Sequence, residues 1–351
     1  MSRAWITGSV VAVGILAAYL LWWPVPILPA RWTPPDAPEL TGAYAPNDAL
    51  AATERLSAGA APESVAVDAE GRVVCGLEEG SIVRVARGVP PETLCQIDGR
   101  PLGMAYTADG DLIVCDMNGR LLTVGEDGSV RVLVAEVDGR SLRLVNDVAI
   151  APDGTIYFSE SSTETTDTLL DLLEHRGHGR LLAYDPATGE THVVLAGLYY
   201  ANGVAVSADG RFVLVVETTE YRVRRVWISG PNAGTSDVFI DNLPGFPDGI
   251  SCDEDGAFWL ALMNPRNEFI DWALERPAVR KVAARLPLQW FAGAAPRYGF
   301  VLGLDADGTV VHNLQDPTGD AFAGISCVVR HGDTLYLGSL LENAVGAVPA
   351  P

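Results

Sequence analysis

Residues 202–210, NGVAVSADG, carry the pattern that decides the fold: a polar residue, a short apolar run and an Asp-Gly turn. The pattern recurs as PESVAVDAEG (62–71), NDVAIAPDG (146–154) and DGISCDEDG (248–256). In each copy an amide or carboxylate side chain stands eight positions before the turn glycine. A constant offset from a constant turn predicts that these side chains meet at one location in a symmetric repeat fold.

The chain after residue 47 is a series of short strands with alternating apolar residues, separated by turn signals. Each repeat contains two hairpins, and four strands make one propeller blade. Repeats begin near residues 62, 101, 145, 201, 247 and 322. We therefore predict an all-β fold, a six-bladed β-propeller with four-stranded blades. A β-sandwich is the alternative, which the regular period disfavours.

The last repeat has residues for three strands only, so residues 48–58 are expected to supply its outer strand and close the ring. We accordingly assign residues 48–351 to the propeller. Two long insertions interrupt it, at about 161–179 and 264–297, and both are expected to lie over the site as lids. The first contains His175 and His178, which are either exposed loop residues or part of a catalytic dyad.

The N-terminal region differs in kind from the repeats. Residues 4–23 are a run of 20 residues without a charge. A helix of about this length can cross a bilayer. We predict an N-terminal transmembrane helix within residues 1–23, a proline-rich stalk over residues 24–47, and a propeller on the extracytoplasmic side. A cleaved signal peptide is the alternative, although no small-residue cleavage site follows the apolar run.

The net charge of −21 argues against nucleic acid as a partner, because binding to phosphates needs clustered cations. The repeated polar residues instead predict a metal site with oxygen ligands. Glu63, Asn146, Asn202 and Asp248 supply two carboxylates and two amides, which suit Ca²⁺ better than Zn²⁺. The corresponding positions of the second and sixth blades are predicted to be Leu102 and Ala323, which cannot bind a metal.

Pairing across two-residue hairpin turns extends this site. Counting back from each turn, Asn202 is expected to face Glu217 and Asn146 to face Ser161. The same count places Asp248 opposite Met263. Glu217 is therefore predicted to lie beside the ligands, where it could transfer a proton.

The chain resembles the strictosidine synthase-like family, in particular its arylesterase-like, membrane-anchored branch. The resemblance runs from about residue 62 to 348 and includes VNDVAIAPDGTIYFSESS (145–162), NLPGFPDGIS (242–251) and ERPAVRK (275–281). More distantly, the repeats are similar to gluconolactonases, paraoxonases and diisopropyl-fluorophosphatase, which are six-bladed calcium-dependent hydrolases. That similarity implies calcium ligands at Glu63, Asn146, Asn202 and Asp248.

Together these patterns predict a membrane-anchored, calcium-dependent hydrolase of lactones or of aryl and carboxylic esters. Asp248 is the first candidate for general base or nucleophile, and Glu217 is the second. One alternative is a membrane-tethered binding propeller in which calcium is structural. Another is the Pictet–Spengler condensation of strictosidine synthase itself, which uses a glutamate of the sixth blade. The sequence has Ser326 or Cys327 at that place.

Overall fold

The structure, a computed structural model of the chain, describes residues 3–287 and 296–351. Residues 1–2 of the predicted anchor and residues 288–295 of the second predicted insertion lie outside this described part. The chain divides into two units. One is formed by residues 35–166, 177–266 and 296–351, and the other by residues 1–34, 167–176 and 267–295.

The first unit is a six-bladed β-propeller with antiparallel four-stranded blades, which confirms the predicted architecture. Its first strand, β1 (Glu54–Ser57), belongs to the last blade. Blade one contains β2 (Val65–Val67), β3 (Val73–Gly76), β4 (Ser81–Ala86) and β5 (Val89–Gln96). Blade two contains β6 (Pro101–Tyr106), β7 (Leu112–Asp116), β8 (Arg120–Val124) and β9 (Val130–Val134). A two-stranded ribbon, β10 (Glu136–Val137) and β11 (Arg140–Ser141), follows.

The remaining blades repeat the same order of strands from the inside outward. Blade three contains β12 (Val145–Ile150), β13 (Ile156–Glu160), β14 (Gly179–Tyr184) and β15 (Thr191–Leu198). Blade four contains β16 (Ala201–Val206), β17 (Phe212–Glu217), β18 (Arg222–Trp227) and β19 (Ser236–Ile240). Blade five contains β20 (Gly245–Cys252), β21 (Phe258–Pro265), β22 (Gly299–Leu304) and β23 (Val310–Asp316). Blade six contains β24 (Ile325–His331), β25 (Thr334–Ser339) and β26 (Ala344–Pro349).

The ring closes as the sequence predicts. Strand β1 pairs antiparallel with β26, from Glu54 opposite Ala347 to Ser57 opposite Ala344. It is the outer strand of blade six, so the first and last strands of the propeller lie in one sheet. Leu56 is buried there in a cluster with Val345 and with residues of blade one. Closure therefore covers an edge that would otherwise present unpaired backbone groups.

In blades one to five, the turns between the first two strands are longer than the predicted two residues. In blade one, the Asp68 N–H donates to the Arg72 carbonyl, which leaves residues 69–71 in the loop. Gly71 ends this loop with φ of +77°, a conformation that glycine adopts without strain. In blade four the loop spans residues 208–211, because the Ser207 N–H donates to the Phe212 carbonyl.

The first strands also contain bulges that change the pairing on their inner side. The register shifts between Val145 and Val148 in blade three and between Ala201 and Val204 in blade four. It shifts between Pro247 and Ile250 in blade five. A bulge leaves an extra residue unpaired. The predicted pairing between the first and second strands is therefore wrong for the residues on the far side of the bulge from the turn.

The second unit contains four helices in the described part of the chain, α1 (Arg3–Trp22), α2 (Thr168–Glu174), α3 (Glu268–Leu274) and α4 (Pro277–Ala283). Asp167 and Asn267 cap α2 and α3 by accepting backbone N–H groups. Arg280, from the ERPAVRK stretch, is buried and donates to the carbonyls of Ala30, Leu173 and Leu274. It thereby ties the ends of α2 and α3 to the extended N-terminal segment.

No helix in the part of the chain that the structure describes is both long enough and apolar enough to cross a membrane.

Candidate metal centre and active site

The first strands of all six blades surround a cavity of about 300 Å³ within the propeller. The four predicted metal ligands, Glu63, Asn146, Asn202 and Asp248, all line this cavity. They come from blades one, three, four and five, as the repeat pattern predicts. The constant offset in sequence therefore corresponds to a common location in the fold.

Hydrogen bonds to hydroxyl groups fix the orientation of both amide ligands. Asn146 donates through Nδ2 to Ser161 Oγ at 2.9 Å, so these side chains meet, although the predicted pairing is wrong because Glu160 lies opposite Val145. Asn202 donates in the same way to Thr218 Oγ1 at 3.1 Å. Each hydroxyl donates onward to a carbonyl of the next blade, that of Ala201 or Pro247. Because the amide nitrogen is held in this way, the amide oxygen is left as the branch that can act as a ligand.

Three carboxylates, those of Glu63, Asp147 and Asp248, line the same cavity. Burial raises the pKa of Asp248 well above its usual range, and the nearby negative charge of Glu63 raises it further. Burial likewise raises the pKa of Asp147 to about 7, against backbone hydrogen bonds that lower it. Burial also raises the pKa of Glu63, while the positive charge of Arg100 lowers it. Carboxylates crowded at low dielectric are stabilised by a cation placed between them.

Asp147 is the cavity residue that sequence reasoning missed. It occupies the position after the ligand, which is Ser64 in blade one and glycine in blades four and five. Its carboxylate accepts the Val204 N–H at 2.8 Å, and its own N–H donates to Ser159 Oγ. The sequence does contain one signal for Asp147: NDVAI has an aspartate at the position where NGVAV and DGISC have glycine.

The glycine at this position allows neighbouring blades to approach closely. A Cβ atom on Gly203 would lie 2.5 Å from the Asp248 carbonyl oxygen and from the Ile250 nitrogen. A Cβ on Gly249 would lie 2.5 Å from the Ser326 carbonyl oxygen. Distances under 3.0 Å to backbone atoms leave no space for a side chain, so glycine sets the spacing of the inner strands here.

The two remaining blades contribute no carboxylate or amide at the ligand position. Blade two has Leu102, as predicted. In blade six the position after the paired residue Ile325 is Ser326, so the prediction of Ala323 is wrong. The sixth hairpin has a turn of only two residues, Gly332 and Asp333, so Ser326 lies six residues before the turn glycine and not eight as in the other repeats. Ser326 lines the cavity and donates through Oγ to the Glu63 carbonyl.

Glu217 does not line the cavity, and its predicted pairing with Asn202 is wrong. The bulge places it opposite Ala201. Its carboxylate accepts from Arg222 Nε at 2.5 Å and from the Tyr199 N–H at 3.0 Å. Met263 likewise does not pair with Asp248, because Leu262 lies opposite Pro247.

Glu217 instead belongs to a structural ion pair that recurs around the ring. A buried acidic residue ends the second strand of blades two, three and four, and an arginine lies directly opposite on the third strand. The pairs are Asp116–Arg120, Glu160–Arg180 and Glu217–Arg222. In all three, the arginine Nε donates to the carboxylate. This recurrence indicates a role in joining strands, and not in proton transfer at the cavity.

Arg100 introduces a positive charge that the sequence pattern did not indicate. It precedes β6 of blade two, and its Nη2 lies 2.9 Å from Glu63 Oε2. Together with Glu63, Asp147 and Asp248, it leaves the site with a formal charge of two negative units when all four groups are ionised. One divalent cation matches that charge.

The two histidines lie elsewhere. Neither His175 nor His178 lines the cavity. His175 belongs to the second unit, where it is buried and stacks on Trp32 with ring centroids 4.5 Å apart. The geometry therefore does not support a histidine dyad at the cavity.

The donor set fits a hard cation that prefers oxygen. As the side chains lie, no group of three or more His, Cys, Asp or Glu residues in the described chain is placed to hold a metal. The candidate set, however, contains only two such residues, and its other two ligands are amides. Oxygen from carboxylate and amide groups is the ligand type of Ca²⁺.

The fold is similar to that of solved β-propeller structures. It superposes on a gluconolactonase from Xanthomonas campestris with a TM-score of 0.62 at 18% identity, covering 85% of this chain and 88% of the other. Regucalcin, a calcium-binding protein from Agrobacterium tumefaciens, gives a TM-score of 0.57 at 17% identity, with coverage of 84% and 90%.

Sequence comparison defines the family more narrowly. The strictosidine synthase family matches residues 146–231, and its strictosidine synthase-like N-terminal family matches residues 42–85. Adipocyte plasma membrane-associated protein of Homo sapiens is 37% identical over 343 residues, covering 90% of this chain and 82% of the relative. Strictosidine synthase-like 10 of Arabidopsis thaliana is 34% identical, with coverage of 83% and 86%. The chain belongs to the strictosidine synthase-like family.

Proposed function

We propose that the chain is a calcium-dependent hydrolase of lactones or of aryl and carboxylic esters. The observation that carries this proposal is the convergence of Glu63, Asn146, Asn202 and Asp248 on one cavity. The shared fold with a gluconolactonase supports the substrate class. Bound calcium would act as a Lewis acid on the carbonyl oxygen of the substrate.

The residues of the chain have separate roles in this proposal. Asn146 and Asn202 offer amide oxygens whose direction is fixed by Ser161 and Thr218. Glu63 of blade one and Asp248 of blade five offer carboxylate oxygens. Apolar residues of the first strands, among them Val65, Ile150 and Ile250, also line the cavity and would limit the water around a bound ester.

Asp248 is the group that we assign to proton transfer or nucleophilic attack. It lines the cavity, and its burial places the carboxylate where it can meet a reacting atom. Glu217, the second candidate from the sequence, is engaged with Arg222 outside the cavity lining, so the proposal does not use it. Ser326 stands in the sixth blade without a carboxylate, which disfavours the condensation of an amine with an aldehyde.

Hydrolysis of a panel of aryl acetates and of five- and six-membered lactones tests the proposal. We expect turnover with calcium, and loss of turnover with chelator or with Asp248→Asn. Activity that survives both treatments would contradict the mechanism. A chain whose melting temperature falls on chelation, but which hydrolyses no member of the panel, would instead be a binding propeller with structural calcium.

We also propose that the N-terminal run, residues 4–23, holds the chain at a membrane with the propeller on the extracytoplasmic side. The relatives named adipocyte plasma membrane-associated protein support this association. Exposed apolar side chains of the second unit, Trp22, Trp23 and Phe269, also support it. We expect the full chain in a membrane pellet that carbonate washing does not release, with the propeller accessible to protease from outside. Recovery in the supernatant would contradict the attachment.

A further inference from the structure

Arg100 is a cation placed directly against a candidate metal ligand. Its guanidinium Nη2 lies 2.9 Å from Glu63 Oε2, and about four fifths of its side chain is buried (21% exposed). It stands two residues before Leu102, the blade-two position that carries no ligand. Blade two therefore contributes a positive charge to the site instead of an oxygen donor.

The contact between Arg100 and Glu63 differs from the structural ion pairs of the ring. Arg120, Arg180 and Arg222 each donate a hydrogen bond through Nε to their carboxylate, at 2.5 to 2.7 Å. The Nε and Nη2 atoms of Arg100 are buried without a hydrogen-bond partner in the described chain. The pair is thus held by charge attraction, without the directional bonds that fix the other three.

The Glu63 carboxylate cannot bind Arg100 and a metal ion equally well at the same time. A cation bound at the site would place two positive charges within a few ångströms of the guanidinium, at reduced dielectric.

We propose that Arg100 is a built-in competitor of the metal: it neutralises Glu63 in the metal-free chain and weakens the binding of a divalent cation. It is a positioning residue and not a ligand. Two consequences of opposite sign follow, namely lower calcium affinity and higher stability of the metal-free fold. This inference rests on the metal site of the proposed function, but not on its hydrolytic activity.

Calcium titration calorimetry and thermal unfolding of the full chain, with and without chelator, test the proposal. We expect Arg100→Gln to bind calcium about tenfold more tightly than the wild type or better. In chelator we expect the same variant to melt at a lower temperature, because Glu63, Asp147 and Asp248 then lack their counter-ion. The calcium-induced rise in melting temperature should increase accordingly.

The matched control is Arg120→Gln, which breaks an ion pair of the same blade outside the cavity lining. It should lower the melting temperature with calcium affinity unchanged. Arg100→Lys keeps the charge, so its calcium affinity should stay within about threefold of the wild type. It also decides the question if Arg100→Gln does not fold: a lysine variant that binds calcium tenfold more tightly would contradict the role of charge.

The outcomes separate this inference from the proposed function. Wild-type chain that binds calcium, together with a folded Arg100→Gln variant that binds it equally or more weakly, would overturn the inference alone. Wild-type chain that binds no calcium would overturn both. If the calcium-binding results are as expected but the wild-type chain hydrolyses no ester or lactone, only the proposed function is contradicted.

Discussion

At the scale of single residues, Asp248 and Glu217 are both buried acids, but they have different surroundings. Asp248 faces a cavity with two other carboxylates, whereas Glu217 is paired with Arg222 and capped by a backbone N–H. Burial alone therefore does not identify a functional carboxylate. The surroundings of the acid do: Asp248 lies beside like charges in a cavity that a cation can enter, whereas Glu217 is hydrogen-bonded to Arg222 outside the cavity lining.

This difference predicts opposite phenotypes for two isosteric substitutions. Asp248→Asn should reduce calcium affinity and hydrolysis by about a hundredfold or more, because it replaces a negatively charged ligand by a neutral amide and removes the reacting carboxylate. Glu217→Gln should keep the calcium affinity and lower the stability by about 3 kcal/mol, since Arg222 is left without its partner. Calorimetry and denaturant unfolding of both variants measure this. Equal loss of calcium binding in the two would contradict the assignment.

Gly203 gives a second test at this scale. In Gly203→Ala the new methyl group would lie 2.5 Å from the Asp248 carbonyl oxygen, so β16 and β20 must separate and displace Asp248. We expect calcium affinity to fall by about tenfold or more, on the scale of a displaced ligand. Gly110→Ala is the control, because its Cβ meets nothing within 4 Å although its φ of +90° is strained. That variant should lose stability and retain calcium affinity.

At the scale of elements, the first hairpin turns of blades one and five depend on an aspartate three residues before the turn glycine, Asp68 and Asp253. Asp253 accepts two backbone N–H groups of its turn through Oδ1, and Trp259 and Arg330 through Oδ2. Burial would raise the pKa of Asp253, but the hydrogen bonds from Trp259 and Arg330 outweigh it, so the pKa is lowered. A lowered folded-state pKa stabilises the fold above the unfolded value of about 4 and loses this effect as pH falls further.

Asp253→Asn should therefore be less stable than the wild type at pH 7, with a difference that disappears as the pH falls below about 4. Unfolding by denaturant at a series of pH values measures the difference. A gap between the two proteins that stays constant from pH 7 to pH 3 would show that the charge of Asp253 contributes nothing.

The closing strand gives a prediction for β1. Leu56 is 6% exposed and packs against Val345 and blade one. Leu56→Ala should lower the free energy of unfolding by about 2 to 4 kcal/mol, as expected for a buried leucine. Val89→Ala, an exposed residue of β5 in blade one, is the matched control and should change stability by less than about 0.5 kcal/mol. Equal effects would indicate that β1 does not hold the ring closed.

The elements also show what the sequence could and could not predict. The alternation of apolar residues and the Asp-Gly turns were sufficient for six blades and for closure by residues 48–58, because both depend on local periodicity. The bulges were not predictable, since they arise where neighbouring inner strands approach one another, as at Gly203 and Gly249. In blade four that one-residue shift moved Glu217 away from Asn202. In blade six a shorter turn moved the ligand position from Ala323 to Ser326.

The same limit applies to the site. The four candidate ligand positions could be predicted from their constant distance to the turn glycine. A bulge that these repeats share leaves the four residues at equivalent positions. Asp147 and Arg100 escaped notice because each occurs in a single blade and so produces no repeated signal. The fold brings both of them near Glu63, one of the candidate ligands.

At the scale of the whole molecule, the chain has a net charge of −21, and part of it is concentrated in a buried cavity. Three carboxylates and one guanidinium make that cavity unfavourable without a counter-ion. Calcium should therefore stabilise the propeller as a whole. We expect the melting temperature to rise continuously with calcium concentration above the dissociation constant, as linkage requires for a ligand that binds the folded state. A melting temperature that does not change with calcium concentration would contradict this expectation.

The central claim is that one divalent cation binds among blades one, three, four and five. A crystal of the chain grown with calcium and exchanged into terbium, measured at an anomalous wavelength, tests it most directly. We predict a single strong peak in the cavity, about 2.3 to 2.6 Å from oxygen atoms of Glu63, Asn146, Asn202 and Asp248. A cavity without an anomalous peak, in a crystal that shows the metal elsewhere or not at all, would contradict the claim.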